Sequence, residues 1–547
     1  MEESIVCTHR LRCCNGCRKY DYSHAWLYIP YHCWSTDIPK HCISCRSVLW
    51  CLVFTGAGVN YMIRTNINIA IVAMVWNQDR NGDNTAAVTE CYQPEFSQTH
   101  SMKFNFSNVS SIQERSEEET RFNWDEKQQA YVLGAFYWFY WSTQIPGGIL
   151  SQRYGFKVVF GCSNLFICVT TFLIPLFATV DPWALVALRM IQGLVGGTAW
   201  PSLHVAAGHW IPPKERSKFM SAIMGSSLGA ALTYPVCGLI IYYLGWEAVF
   251  YITGAIGIIW FIAWWLLVFD TPNDHPRISE KELKYIQSSC GRAVQKRKPP
   301  IPWKSILTSV PMWMNIFAQW GGIWGLFTLL TQAPTFFRYI HGMNVRMTGI
   351  LSGIPHLCRV IVAIIVSFFG DYALKKEILS RTAVRKVATT ICTLFNGLFV
   401  LGLAYSGCNS VAAIICLTLS VSCSGAVSTG PLASLVDIGP NFAGVVLGIT
   451  NMITVAPGFI SPIIVGKLTY QNQTSGQWQV VFLISAIMLF IAGILYLLFS
   501  SSDVQPWNSS GIPEKEMKVL NSKEPAEEEE KLKLNNETVP DTENNCP

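Results

Sequence analysis

The chain has 547 residues, of which 50% are hydrophobic, 13% aromatic and only 14% charged. Soluble domains carry roughly 25% charged residues, so a soluble globular protein is excluded. The formal net charge of +5 is small and unevenly spread, and it gives no argument for nucleic acid as a partner.

Nineteen cysteines do not make a disulfide scaffold here. Most sit singly in apolar segments, as do Cys162, Cys237, Cys392 and Cys423, and read as small core residues. The N-terminus differs, with Cys7, Cys13, Cys14, Cys17, Cys33, Cys42 and Cys45 crowded together. Two C-x-x-C pairs, Cys14/Cys17 and Cys42/Cys45, have a spacing that zinc accepts. An unstructured tail, lipid attachment near the membrane or an unrepresentative start is the plainer reading, so no metal centre is expected. No basic region followed by an apolar core opens the chain, and no signal peptide is expected.

Windows of about 20 apolar residues mark membrane helices, and twelve occur after residue 47. The first six cover 48–76, 128–150, 157–179, 183–207, 217–243 and 246–269. The second six cover 312–337, 347–370, 384–406, 409–435, 442–470 and 478–501. This divides the chain into a Cys-rich inner tail (1–47), an N-terminal lobe (48–269) with a long outer loop (77–127), a central inner loop (270–311), a C-terminal lobe (312–501) and an acidic tail (502–547). The tail holds Glu527 to Glu530 and has the composition of a disordered segment. An all-α membrane protein with two six-helix lobes is the layout of a two-lobed transporter.

Lysine and arginine in short loops set the orientation. Arg153 and Lys157, then Lys214, Arg216 and Lys218, then Lys375, Lys376, Arg381, Arg385 and Lys386 all fall on one side. The central loop, with Arg277, Lys281, Lys284, Arg292, Lys296, Arg297 and Lys298, and both termini lie there too, so that side is predicted to be cytoplasmic. The other side carries the acidic run Glu117 to Glu119 and glycosylation sequons at Asn105, Asn108 and Asn472. Sequons at Asn508 and Asn536 fall on the cytoplasmic side and are expected to stay unmodified.

Two arginines, Arg64 and Arg189, stand about halfway along apolar windows of the N-terminal lobe. Each costs about 2.5–3.5 kcal/mol to insert. Guanidinium keeps its proton and binds carboxylate or phosphate bidentately, which favours an anion site over an arginine paired to helix carbonyls or an acid purely for packing. Arg359, in the eighth window, either adds a contact to a more highly charged anion or snorkels to an interface. His356 lies one turn away and is of a type that titrates near neutral pH. Tyr61, Asn68, Tyr137, Asn451 and Thr454 are polar groups that either line a cavity or bond helix to helix.

Ordered motifs along 48–505 resemble solute carrier family 17, the family of sialin, the vesicular glutamate transporters and the type I sodium–phosphate cotransporters. They are Tyr61-Met62-Ile63-Arg64-Thr65-Asn66, Thr143-Gln144-Ile145-Pro146-Gly147-Gly148, and the run from Arg189, Gln192, Gly193 and Leu194 through Pro201, His204, Trp210, Pro212, Pro213, Glu215, Arg216 and Ser217. Later come Thr271 to Ser279, Gly353-Ile354-Pro355-His356-Leu357, Ile378-Leu379-Ser380 with Val384-Arg385-Lys386, and Asp437-Ile438-Gly439-Pro440 with Gly448, Asn451 and Gly458. The resemblance, with an arthropod-type inorganic phosphate cotransporter as the expected branch, implies the major facilitator fold and alternating access to one central anion site. It places Arg64 and Arg189 at that site, and it adds His204 to His356 as a coupling candidate.

The departures from the family pattern bear on coupling. The family's carboxylate seven residues after the fourth-helix arginine is Gly196 here, Leu133 and Gly322 stand at positions where vesicular glutamate transporters have histidine and arginine, and Gln152 replaces a loop aspartate common among facilitators. Glutamate loading is therefore disfavoured. The expected function is secondary active transport of a small organic or inorganic anion such as phosphate, urate or sialate, with sodium or proton symport and no bound cofactor. The alternative is a transport-inactive relative acting as a membrane receptor or scaffold. No paired acids, metal cluster or nucleophile constellation in the windows suggests an enzyme. The expected setting is a monomer in the lipid bilayer of a plasma, lysosomal or vesicular membrane.

Overall fold

The computed structural model describes residues 44–75, 91, 121–212, 219, 221–294 and 301–509. Cys7, Cys13, Cys14, Cys17, Cys33, Cys42, Lys214, Arg216, Lys218, the sequons at Asn105, Asn108 and Asn536 and the acidic tail lie outside the described residues.

Among the described residues, grouping helices across short breaks gives twelve rods, besides the loop helices Glu280–Val294 and Trp303–Leu307. In the first half these are α1 (Cys45–Met74), α2 (Glu126–Trp138 and Gln144–Tyr154), α3 (Phe156–Thr171 and Ile174–Val180), α4 (Pro182–Gly196 and Ala199–Trp210), α5 (Gly225–Leu244) and α6 (Trp246–Leu267). In the second half they are α7 (Val310–Tyr339), α8 (Val345–Lys375), α9 (Arg381–Ala404), α10 (Ser410–Ile438), α11 (Ala443–Leu468) and α12 (Ser475–Phe499). Seven of them, α5, α6 and α8 to α12, are each long and apolar enough to cross a membrane, and the two parts of α3, bent by 47°, make an eighth span if taken together. The remaining four fall short for a physical reason. The apolar run of α1 is interrupted by Asn60, Arg64, Asn66 and Asn68, that of α7 by Asn315, Gln319 and Gln332, and α2 and α4 are broken.

Local chemistry sets the helix ends. Ser44 accepts from Ser47 N at the start of α1, and Asp125 and Gln128 form a reciprocal capping box at the start of α2. Met74 O accepts from Phe122 N at 2.7 Å and Val75 bridges Phe122, which returns the chain beside the end of α1. At the other end of α1, Glu282 on the loop helix Glu280–Val294 accepts from Cys45 N and Arg46 N at 3.1 and 3.2 Å and pairs with Arg46 Nε at 3.0 Å. A carboxylate at a helix N-terminus satisfies free donors and suits the helix dipole, so the central loop is fastened to the N-terminal lobe.

Glycines let the lobes approach closely. At the outer end, the one carrying the 77–127 loop, Gly349 and Gly353 of α8 lie against the Tyr234 and Ala231 carbonyls of α5. Likewise Gly458 and Gly466 of α11 lie against Tyr137, Ala130 and Glu126 of α2. Asn68 Nδ2 donates to Tyr234 Oη at 3.2 Å and to the Leu330 carbonyl of α7 at 3.3 Å, and Tyr234 Oη donates to that same carbonyl. At the opposite end, Gly444 and Gly448 of α11 have open space where a Cβ would stand.

A disulfide between Cys91 and Cys408, 317 residues apart, also joins the lobes at the outer end. Cys91 N donates to the Ile340 carbonyl at 3.3 Å and Cys91 is buried against α7 and α9. This bond corrects the reading of the cysteines as core residues alone.

A candidate anion site between the lobes

Arg64 and Arg189 are both buried, at 4% and 1% exposure, and adjacent. Arg189 Nη2 donates to the backbone carbonyl of Arg64 at 3.2 Å, and Arg189 Nη1 donates to Gln192 Oε1 at 3.2 Å. Gln192 Nε2 passes the chain on to Thr170 Oγ1 at 3.1 Å, which anchors the network in α3. Burying a charge is costly unless it is paired, yet Arg64 Nε and Nη2 and Arg189 Nε have no hydrogen-bond partner. Among the described residues no carboxylate reaches either guanidinium.

Aromatic faces partly replace that carboxylate. The Arg64 guanidinium carbon lies 4.8 Å from the ring centroids of Tyr61 and Phe136, 4.7 Å from Tyr140 and 5.5 Å from Tyr137, and Arg189 lies 5.2 Å from Phe136. Cation–π contacts of this kind give about 0.5–2 kcal/mol each, which offsets some of the burial cost while leaving the N–H donors free. A site with fixed positive charge, free donors and apolar walls is suited to an anion.

Gly196 explains why aromatic rings do this work. A Cβ at that position would lie 3.0 Å from both Phe136 Cζ and Ile167 Cδ1. The ring that faces both arginines therefore packs closely against Gly196.

The structure separates the other expected residues. Tyr61 lies at the site, half-buried, and its ring meets Trp200 edge-on at 6.2 Å. Tyr137 lies there too, pressed between Arg64 and Phe327 of α7, 4.8 Å from the latter. Arg359 reaches across from the other lobe, and its Nη1 donates to Ser227 Oγ of α5 at 2.9 Å. Asn68 takes the helix-to-helix alternative, since its amide is spent on the cross-lobe bonds to Tyr234 and Leu330. His356 is buried with its ring stacked on Tyr234 at 5.9 Å, and His204 is exposed fifteen residues beyond Arg189. Asn451 is half-buried on the inner half of α11, and the Thr454 hydroxyl is buried without a partner. Asn472 is exposed in the outer turn between α11 and α12. Phe136, Tyr140, Gln192 and Ser227 were not legible as site residues, because aromatic, small or amide side chains on membrane helices carry no distinguishing signal.

Two lobes of six rods, closed at one end around a buried pair of arginines, define a transporter of the major facilitator type. Residues 53–462 match the family described as Major Facilitator Superfamily. The chain is 35% identical to human (Homo sapiens) sialin over 467 residues, which is 85% of this chain and 91% of that one. It is 33% identical to a Drosophila ananassae protein named "Putative inorganic phosphate cotransporter", over 84% of this chain and 93% of that one. Among solved structures, a D-xylose-proton symporter shares the fold with a TM-score of 0.58 at 13% identity, covering 84% of this chain and 99% of that one. The chain belongs to the major facilitator superfamily and, within it, to solute carrier family 17. It is a multi-pass membrane protein and not an enzyme.

Proposed function

We propose that this chain is a secondary active transporter that carries a small organic or inorganic anion, of the phosphate, urate or sialate kind, by alternating access. The observation that carries this is the adjacent pair Arg64 and Arg189, buried with unpartnered donors and no acid beside them. The names of the relatives, sialin and an inorganic phosphate cotransporter, agree with a carboxylate or phosphate ligand. Transport is coupled to sodium or proton entry as a co-transported ion, not as a resident cofactor. The packing of Gly196 against Phe136 argues against a carboxylate relay at that position.

The protein works as a monomer in a plasma, lysosomal or vesicular membrane, with both termini cytoplasmic. The Cys91–Cys408 bond and exposed Asn472 at the outer end support that orientation, because disulfides persist in oxidising compartments. Uptake of labelled phosphate, urate, sialate and glutamate into proteoliposomes, with sodium, proton and voltage gradients imposed separately, tests the reading. Uptake of at least one anion that is driven by a cation gradient is the expected result. No uptake of any anion by correctly inserted protein favours a receptor or scaffold instead.

A further inference from the structure

Arg359 reaches from one lobe to the other. Outward of it, α8 and α5 are in backbone contact at Gly353 and Gly349. Inward of it, Ile364, Phe368 and Phe369 of α8 are exposed and Gly425 of α10 takes over as the neighbour, against the Arg359 carbonyl and Ala363. Its guanidinium spends Nη1 on Ser227, a neutral hydroxyl of the opposite lobe, and its Nε is buried without a partner. The Tyr61 ring covers Arg64 on the N-terminal side of the same interface.

The acids are elsewhere. Glu126, Asp181, Glu247, Asp270, Asp371 and Asp437 all fall at rod ends, and Asp437 is already paired with Arg385 at 2.7 Å. Among the described residues no acid lies in the middle of a rod, so Arg64, Arg189 and Arg359, each in the interior of its own rod, have no acid of the rods as a fixed counter-charge. A monovalent anion leaves two of those charges uncompensated.

We infer that Arg359 makes this a site for doubly charged anions, held by Arg64 and Arg189 in one lobe and by Arg359 in the other. The inference rests on the anion-transport reading above and adds valence to it. A dianion spanning the two lobes interacts with more fixed charge than a monoanion, and specificity is that difference in affinity. It also favours the arrangement described, in which Arg359 reaches the N-terminal lobe. The shared chemistry is two formal negative charges, from a dicarboxylate or a tetrahedral oxyanion.

The test compares ligands of similar shape and different charge: malonate against propionate, and sulfate against methanesulfonate, binding to the purified full-length protein. Each dianion is expected to bind about tenfold more tightly than its monovalent counterpart. Arg359→Gln removes that ratio by weakening the dianion alone, and Arg359→Lys keeps most of it. A preference confined to one pair assigns the source as dicarboxylate or oxyanion and supports the inference. Equal weakening of monoanions and dianions by Arg359→Gln, or loss of the ratio in a folded Arg359→Lys protein, overturns it. If no anion binds the wild type, or if Arg189→Gln changes nothing, the underlying anion-site reading fails and the inference falls with it.

Discussion

At the scale of single residues, an aromatic ring stands beside two buried arginines that, among the described residues, have no acid next to them. Phe136 faces both Arg64 and Arg189, and Gly196 gives it room. Phe136→Leu keeps an apolar side chain but removes both cation–π contacts. It is expected to cost about 1–3 kcal/mol, seen as a lower unfolding temperature that added anion restores more fully than in the wild type. Gly196→Glu alone is expected to misfold or lose expression, because its side chain enters the space of Phe136 and Ile167. The pair Gly196→Glu with Phe136→Ala recovers expression if that packing argument is right.

His341, in the turn between α7 and α8, is a second residue with a measurable consequence. Its Nδ1 shares a hydrogen bond with Ser410 Oγ at 2.9 Å, its Nε2 is buried without a partner, and burial pulls its pKa from 6.5 down to about 4. The fold therefore holds the neutral ring. Its contribution to stability is full above pH 6.5 and is lost as the pH falls through about 4. The loss is at most on the order of 3 kcal/mol. His341→Phe is expected to flatten that acid limb in a thermal-unfolding series, and an unchanged limb would assign it to other groups.

At the scale of elements, the helices that fall short of an apolar span are the informative ones. Polar and charged residues lowered the hydropathy of α1; Arg64 faces the site, while Asn60, Asn66 and Asn68 bond to neighbouring helices. The windows and Arg64, Arg189 and Arg359 were legible because an arginine stands out in an apolar run. The breaks in α2 and α4 were not, since hydropathy does not register a change of backbone direction. Nor was the role of Asn68, because a polar side chain in a helix reads the same whether it lines a cavity or bonds to a neighbour. The glycines of α8 carry their own expectation. A Cβ at Gly353 would lie 2.6 Å from the Ala231 carbonyl, so Gly353→Leu should hold the outer halves of α5 and α8 apart. An added Ser227→Cys thiol then becomes reactive to an impermeant maleimide from the outer side, and absence of labelling would contradict the packing account.

At the scale of the whole molecule, the Cys91–Cys408 bond ties an outer segment that follows α1 to the turn before α10. It closes a very long loop, and such bonds typically stabilise by about 2–4 kcal/mol. Cys408→Ser is expected to lower the unfolding temperature and make it insensitive to reductant. No hydropathy pattern pointed to this pair, because Cys91 and Cys408 look like any of the other isolated cysteines and their proximity is a product of the tertiary fold. The two-lobe architecture, by contrast, was legible, since it follows from the count and grouping of apolar windows.

The central claim is that two buried guanidiniums in one lobe hold the transported anion. It is tested most directly by binding of labelled sulfate to purified protein, comparing the wild type with a folded Arg189→Gln variant. Losing a charged, buried hydrogen-bonding group is expected to weaken binding by about a hundredfold, the equivalent of roughly 3 kcal/mol. Wild-type affinity in the variant would contradict the account.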